Sequence, residues 1–130
     1  MKTQCAPKLV DADQLLLHAA SAGDVDLALA AIEKGANPDC RDPRGFTPLM
    51  RAATYGDVGM LQLLVDAGAT LDATTEHGIT ALMKTAIHDR VHAAQELLRC
   101  GADAGLRDAD GLTAKEISVK LGNSAVAAVL

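Results

Sequence analysis

The chain of 130 residues contains no tryptophan, one phenylalanine (Phe46) and one tyrosine (Tyr55). An all-β fold, which leans on aromatic and β-branched side chains, is disfavoured by that scarcity. No two Lys or Arg residues are adjacent, and the formal net charge is −5. A nucleic-acid partner would call for a basic stripe, so none is expected. No apolar run approaches the ~20 residues of a membrane span. The apolar stretch after Lys2 and Lys8 is broken by Asp11 and Asp13, which argues against a secretory signal. The three cysteines, Cys5, Cys40 and Cys100, are odd in number and widely spaced. They form neither a disulfide framework nor a zinc pattern, and free thiols in a reducing, intracellular setting are expected, cytoplasmic first and nuclear second.

Catalytic patterns are equally scarce. Ser21, Ser118 and Ser124 are the only serines, and none sits in a G-x-S-x-G turn. There is no G-x-x-x-x-G-K-[ST] loop. His88 and His92 are four apart, but an inter-helix loop is expected between them, so they do not share a helical face. No enzyme activity, cofactor or metal is expected.

What is present is helix-forming material. Alanine and leucine number 25 and 18, and 49% of residues are hydrophobic. Both residue types favour helix, and the total is enough for one packed domain. The arrangement is periodic. Gly45, Gly78 and Gly111 lie 33 residues apart, and so do Thr47, Thr80 and Thr113. Gly35, Gly68 and Gly101 keep the same step, each followed by alanine, as do Leu16, Leu49 and Leu82, and Ala20, Ala53 and Ala86. Five columns at one period identify a repeat array.

Each column has a physical reason. Thr47 is placed to cap a helix whose first turn holds Pro48, where a missing N–H costs nothing. Leu49, Ala52 and Ala53 share one face, and the alanines allow close helix approach. Gly56 ends that helix and Asp57 caps the next, which carries Val58, Leu61, Leu64 and Val65 at helical spacing and stops at Gly68. First helices are predicted over Gln14–Ala20, Pro48–Tyr55, Ala81–His88 and Ala114–Leu121. Second helices are predicted over Val25–Lys34, Val58–Ala67, Val91–Cys100 and Ser124–Val129. The predicted core includes Leu16, Ala19, Leu49, Ala53, Leu64, Leu82, Ala86, Leu97 and Leu98.

The segments T-P-L-M-R-A-A at Thr47–Ala53, G-I-T-A-L-M at Gly78–Met83 and L-L-V-D-A-G-A at Leu63–Ala69 resemble the ankyrin repeat family. The resemblance implies a mainly α solenoid of stacked helix-turn-helix units linked by hairpin-like turns. It divides the chain into a short flexible leader at 1–10 and repeats at about 11–41, 42–74, 75–107 and 108–130. Departures stand out. Leu17, Met50, Met83 and Glu116 occupy the place of the histidine that usually follows T-P-L, so its hydrogen bonds must be replaced. Asp89 takes the inter-helix glycine position and Arg90 the cap position. Asp13, Gln14 and His18 at one end, and Lys115, Glu116, Asn123 and Ser124 at the other, read as polar capping faces. The apolar segment Ala125–Leu130 is expected to pack inward on the third repeat, the alternative being a chain cut from a longer array.

The resemblance further implies a protein-protein interaction module whose hairpin tips and first helices line a concave binding face. Both aromatics fall there: Phe46 after the turn glycine and Tyr55 at the exposed end of a first helix. Ile79 and Leu112 are the equivalents of Phe46, and His88, beside Ile87, is the equivalent of Tyr55. Arg51, Thr54 and Tyr55 form one row, Lys84, Ile87 and His88 the next. Arg44 and His77 lie at finger tips. The candidate partner-binding set is therefore Arg44, Phe46, Arg51, Tyr55, His77, Ile79, Lys84, Ile87, His88 and Leu112. The competing reading of Phe46, Ile79 and Leu112 is simple hairpin packing, and that of the cations is solvated surface charge. Asp72, Glu76, Asp108 and Asp110 make the later tips acidic. The expected partner is another protein, through an acidic and apolar segment, with the chain itself a monomer or weak homo-oligomer. Two alternatives compete: self-assembly through Ala125–Leu130, and an enzyme or a thiol or metal sensor using His88, His92 or the cysteines.

Overall fold

A computed structural model describes residues 11–130, and the leader expected at 1–10, with Cys5, lies outside the described residues. Eight helices follow in order: α1 Ala12–Ala22, α2 Val25–Glu33, α3 Pro48–Tyr55, α4 Val58–Asp66, α5 Ala81–His88, α6 Val91–Arg99, α7 Ala114–Leu121 and α8 Ser124–Ala127. There is no strand among the described residues. The helices pair as α1/α2, α3/α4, α5/α6 and α7/α8, while α1, α3, α5 and α7 stack in one row and α2, α4, α6 and α8 in another. This is the expected mainly helical solenoid.

Local chemistry sets the bounds. The side chains of Thr47, Thr80 and Thr113 each accept a hydrogen bond from the N–H three residues on, of Met50, Met83 and Glu116. They cap α3, α5 and α7, whose limits match the predicted ones. α1 starts two residues earlier than predicted, because Asp11 caps it through the N–H of Asp13. The second helices end earlier than predicted: Lys34, Ala67 and Cys100 serve as C-caps, and α8 stops at Ala127 with Ala128 as its cap. Asp89 adopts the left-handed conformation at φ 56° and is the one non-glycine residue with positive φ among those described. Its Oδ1 also accepts the N–H of Val126, and Asn123 donates to the carbonyls of Ala86 and Ile87, which ties α8 to the end of α5.

One continuous core runs along the stack. Leu16, Leu49, Leu64, Leu82 and Leu97 are buried, with Ala19, Ala20, Ala53 and Ala86 closing the helix contacts. Leu98 corrects the prediction, since it is only half-buried at the core margin. Glu96 is buried on the same helix instead and pairs with Arg99. In repeats two and three buried methionines, Met50 and Met83, stand in the place of the missing histidine, and the Thr47 N–H points at the Met50 Sδ at 3.5 Å; in repeat four the Thr113 N–H donates to Glu116 Oε1 at 3.0 Å.

At the C-terminal end Val126 is fully buried and Val129 and Leu130 pack against the core, so this segment turns inward. On the fourth repeat Lys115, Glu116 and Ser124 are exposed as a polar cap requires, but apolar side chains are exposed there as well. Val119 and Leu121 on α7 are 63% and 54% exposed. Val119 stands in the column of Ala20, Ala53 and Ala86, which are buried because a further pair of helices stacks over each of them.

Candidate functional site

The fingers between helix pairs share one construction. In the turn before α3, the Asp42 N–H donates to the Phe46 carbonyl and the Gly45 N–H to the Asp42 carbonyl. The same bonds recur at Thr75, Gly78 and Ile79, and at Asp108, Gly111 and Leu112. Side chains reinforce them. Asp42 Oδ1 accepts the N–H groups of Arg44 (2.8 Å) and Phe46 (2.9 Å). Thr75 Oγ1 does the same for His77 and Ile79, and Asp108 Oδ1 for Asp110 and Leu112. Neighbouring fingers are joined: Arg41 donates to the carbonyls of Gly45 and Thr74, and the Ala109 N–H to the His77 carbonyl. That last contact needs Gly78, where a Cβ would sit 3.1 Å from the backbone of Asp108 and Ala109.

Between the first of these fingers and the ends of α1, α3 and α5 lies a cleft of about 470 Å³. Arg44, Phe46, Arg51, Tyr55, Lys84 and His88 line it, together with Ser21, Asp42, Pro43 and Thr54. Tyr55 stands out at 58% exposure and also borders a second cleft of about 310 Å³ beside Arg90, Val91 and His92. The four other candidates lie elsewhere. Ile79, Ile87 and Leu112 are half-buried and packed on the core, and His77 is exposed beside Glu76. Phe46 also packs on the core, but its ring carries the Lys84 ammonium 4.0 Å from its centroid, a cation–π contact.

The cations differ in how they are held. Arg51 donates to Asp42 Oδ2 at 2.7 Å, to Ser21 Oγ at 2.7 Å and to the Leu17 carbonyl at 3.3 Å. Its charge is thus matched within the protein, and it braces the finger to α1. Asp42 stays ionised readily. Burial opposes its charge, but the Phe46 N–H, the Arg51 guanidinium and the Arg44 N–H outweigh burial and hold it below the usual carboxylate range. Lys84 and Arg44 make no ion pair among the described residues. Burial and the Arg44 charge push the Lys84 ammonium below its ordinary value, with Asp42 acting the other way. Burial, then Lys84 and Arg90, push His88 down as well. The cleft is therefore a positive, partly apolar recess in a chain of net charge −5.

Sequence reasoning missed Asp42, Ser21 and Pro43, and set Thr54 in the row of Arg51 and Tyr55 without counting it among the candidates. The Asp42–Arg51 pair spans a turn and a helix, which helical spacing does not bring together. Its signal was the coincidence of an acidic residue in one 33-residue column with a basic one in another.

The thiols of Cys40 and Cys100 are free and do not bridge each other. Burial and the nearby Asp13 push Cys40 up to about 11, and burial followed by Glu96 raises Cys100. His88 ends α5 and His92 belongs to α6, and no group of three or more His, Cys, Asp or Glu side chains is disposed to hold a metal ion among the described residues. No helix among them is long and apolar enough to cross a membrane.

Comparison with family models matches residues 16–65 to "Ankyrin repeats (many copies)" and residues 77–109 to "Ankyrin repeat". No curated protein matches the chain.

Proposed function

The chain belongs to the ankyrin repeat family, whose repeats generally mediate protein-protein interaction, and from that premise we propose that it is a non-catalytic binding module that captures a partner protein in the cleft between the Asp42–Phe46 finger and helices α3 and α5. The observation that carries the reading is Tyr55. It is the one tyrosine of the chain, it is more than half exposed, and it stands between two clefts. Aromatic side chains held at the centre of a recess supply large contact area at low entropic cost and often dominate binding. The positive lining favours an acidic and apolar segment over a basic one.

The test is affinity capture with wild-type protein and with Tyr55→Ala, followed by measurement of the captured partner's Kd for both. Truncation is expected to weaken binding by about 1–3 kcal/mol. It should move stability by no more than about 0.5 kcal/mol, because the ring lies outside the core. Equal Kd values for the two proteins would refute the placement of the site.

One observation favours a second reading, self-association: Val119 of α7 is largely exposed and borders a shallow cleft with Ala127 and Ala128. Size-exclusion chromatography at two concentrations decides it, since a dimerising face shifts elution with concentration and an isolated one does not.

A further inference from the structure

Repeats two and three differ at a pair of columns that in repeat two meet in the cleft. In repeat two the finger residue is Asp42 and the helix residue Arg51, and they pair at 2.7 Å. Nine residues separate them, and 33 residues on, the same two places hold Thr75 and Lys84; after a further 33 they hold Asp108 and Ile117. The finger hydrogen bonds survive each change, because Thr75 Oγ1 accepts the same two N–H groups that the aspartates do. The electrostatics do not. Repeat two has an anion and a cation, and repeat four has an anion and no cation. Of repeats two to four, only repeat three keeps the cation and lacks the anion.

Lys84 is not left loose in solvent by this loss. Its ammonium lies over the Phe46 ring, in the wall of the cleft that Arg44 also lines. Both cations lack an ion-pair partner among the described residues. Burial and then Arg44 make the charge of Lys84 unfavourable, with Asp42 offsetting only part of this. A partly buried cation beside a like charge is a cost to the folded protein that an incoming anion relieves.

We propose that Lys84 and Arg44 form a socket for one carboxylate of an acidic side chain on the partner, which supplies in trans the charge that Asp42 supplies to Arg51 in cis. This rests on the reading of the cleft as the partner site and deepens it. The socket lies beside the Tyr55 ring in the same cleft. The segment it fits carries an Asp or Glu next to an apolar residue that packs on Tyr55. Lys84 orients that segment through a single charged contact, which the Phe46 ring keeps in place.

The test is selection from a random peptide library displayed on phage, run against wild-type protein, Lys84→Met, Thr75→Asp and Tyr55→Ala. The tightest wild-type peptide is then resynthesised with its acidic residue intact, as the amide, and as phosphoserine. Thr75→Asp is informative because Asp42 and Asp108 show that aspartate is compatible with this turn, while it restores to repeat three the carboxylate that in repeat two pairs with the cation of the same column. Lys84→Met keeps the stem that packs on Phe46, and circular dichroism checks that both variants fold. The expected result is acid-enriched wild-type peptides that lose about tenfold in affinity as the amide. The same loss should follow from Lys84→Met and from Thr75→Asp, and neither variant should then distinguish acid from amide. Peptides that need Tyr55 but bind Lys84→Met and the amide unchanged would overturn the socket and leave the cleft reading standing. Peptides indifferent to both Tyr55 and Lys84, or no enrichment at all, would overturn the two together. Binding of the phosphoserine peptide with none of the carboxylate peptide would overturn the choice of anion.

Discussion

Asp42→Asn separates the electrostatic part of the finger from its turn geometry. Asparagine keeps Oδ1 as acceptor for the Arg44 and Phe46 N–H groups, so the turn itself should persist. What is lost is the charged bond from Oδ2 to Arg51 Nη2 at 2.7 Å, with an amide NH2 now facing the guanidinium donor to donor. A hydrogen bond to a charged group contributes about 1.5–3 kcal/mol net. Arg51 keeps Ser21 and the Leu17 carbonyl and is partly open to water, which recovers some of that. The expected loss at pH 7 is therefore about 1–2 kcal/mol. In a domain of this size that is about 3–8 °C in Tm. Urea denaturation across a pH series is the assay. The folded-state value of Asp42 lies below the unfolded one, so its stabilisation is complete above the unfolded value and disappears as pH falls through the folded value. The gap between wild type and variant should accordingly be full at neutral pH and close as pH drops below about 4. Equal stability at pH 7, or a gap that persists in acid, would refute the role given to the carboxylate.

Three further outcomes follow from burial and backbone geometry. Leu64→Ala and Leu97→Ala each remove a fully buried side chain between stacked helices and should cost about 2–5 kcal/mol by chemical denaturation, whereas Leu98→Ala, at the core margin, should cost less. Gly59→Ala should stabilise α4 by about 0.5–1 kcal/mol, since the added methyl meets nothing nearer than 3.7 Å; a lower Tm would contradict that. Cys40 is buried with its thiol held near 11, so at pH 8 iodoacetamide should label it far more slowly in folded than in urea-unfolded protein, as mass spectrometry of the labelled peptide would show.

How far the sequence carried depends on which interactions repeat. The three cap threonines, the leucine column and the alanine column each act within one unit or between identical units, so a 33-residue period exposes them, and the limits of α3, α5 and α7 could be read directly. The ends of the second helices depend on which residue closes the last turn. Ala67 and Cys100 do so in right-handed backbone, with no chemical mark to set them apart from the helix before them. In the last helix pair the period still sets the cap and the turn but no longer sets burial. Val119 occupies a column that elsewhere means burial beneath further helices, and at the last helix pair the same register leaves it in solvent. The cleft sits between these cases. Phe46, Tyr55, Lys84 and Arg44 could be placed beside it by the family resemblance together with the register, but whether each cation was matched could not, because the match joins two columns rather than filling one. A repeat makes every unit structurally alike, so what singles out one cleft must be a residue that breaks the pattern without breaking the fold. Thr75 meets that condition: it holds its finger together as aspartate would, and it carries no charge where repeats two and four carry one.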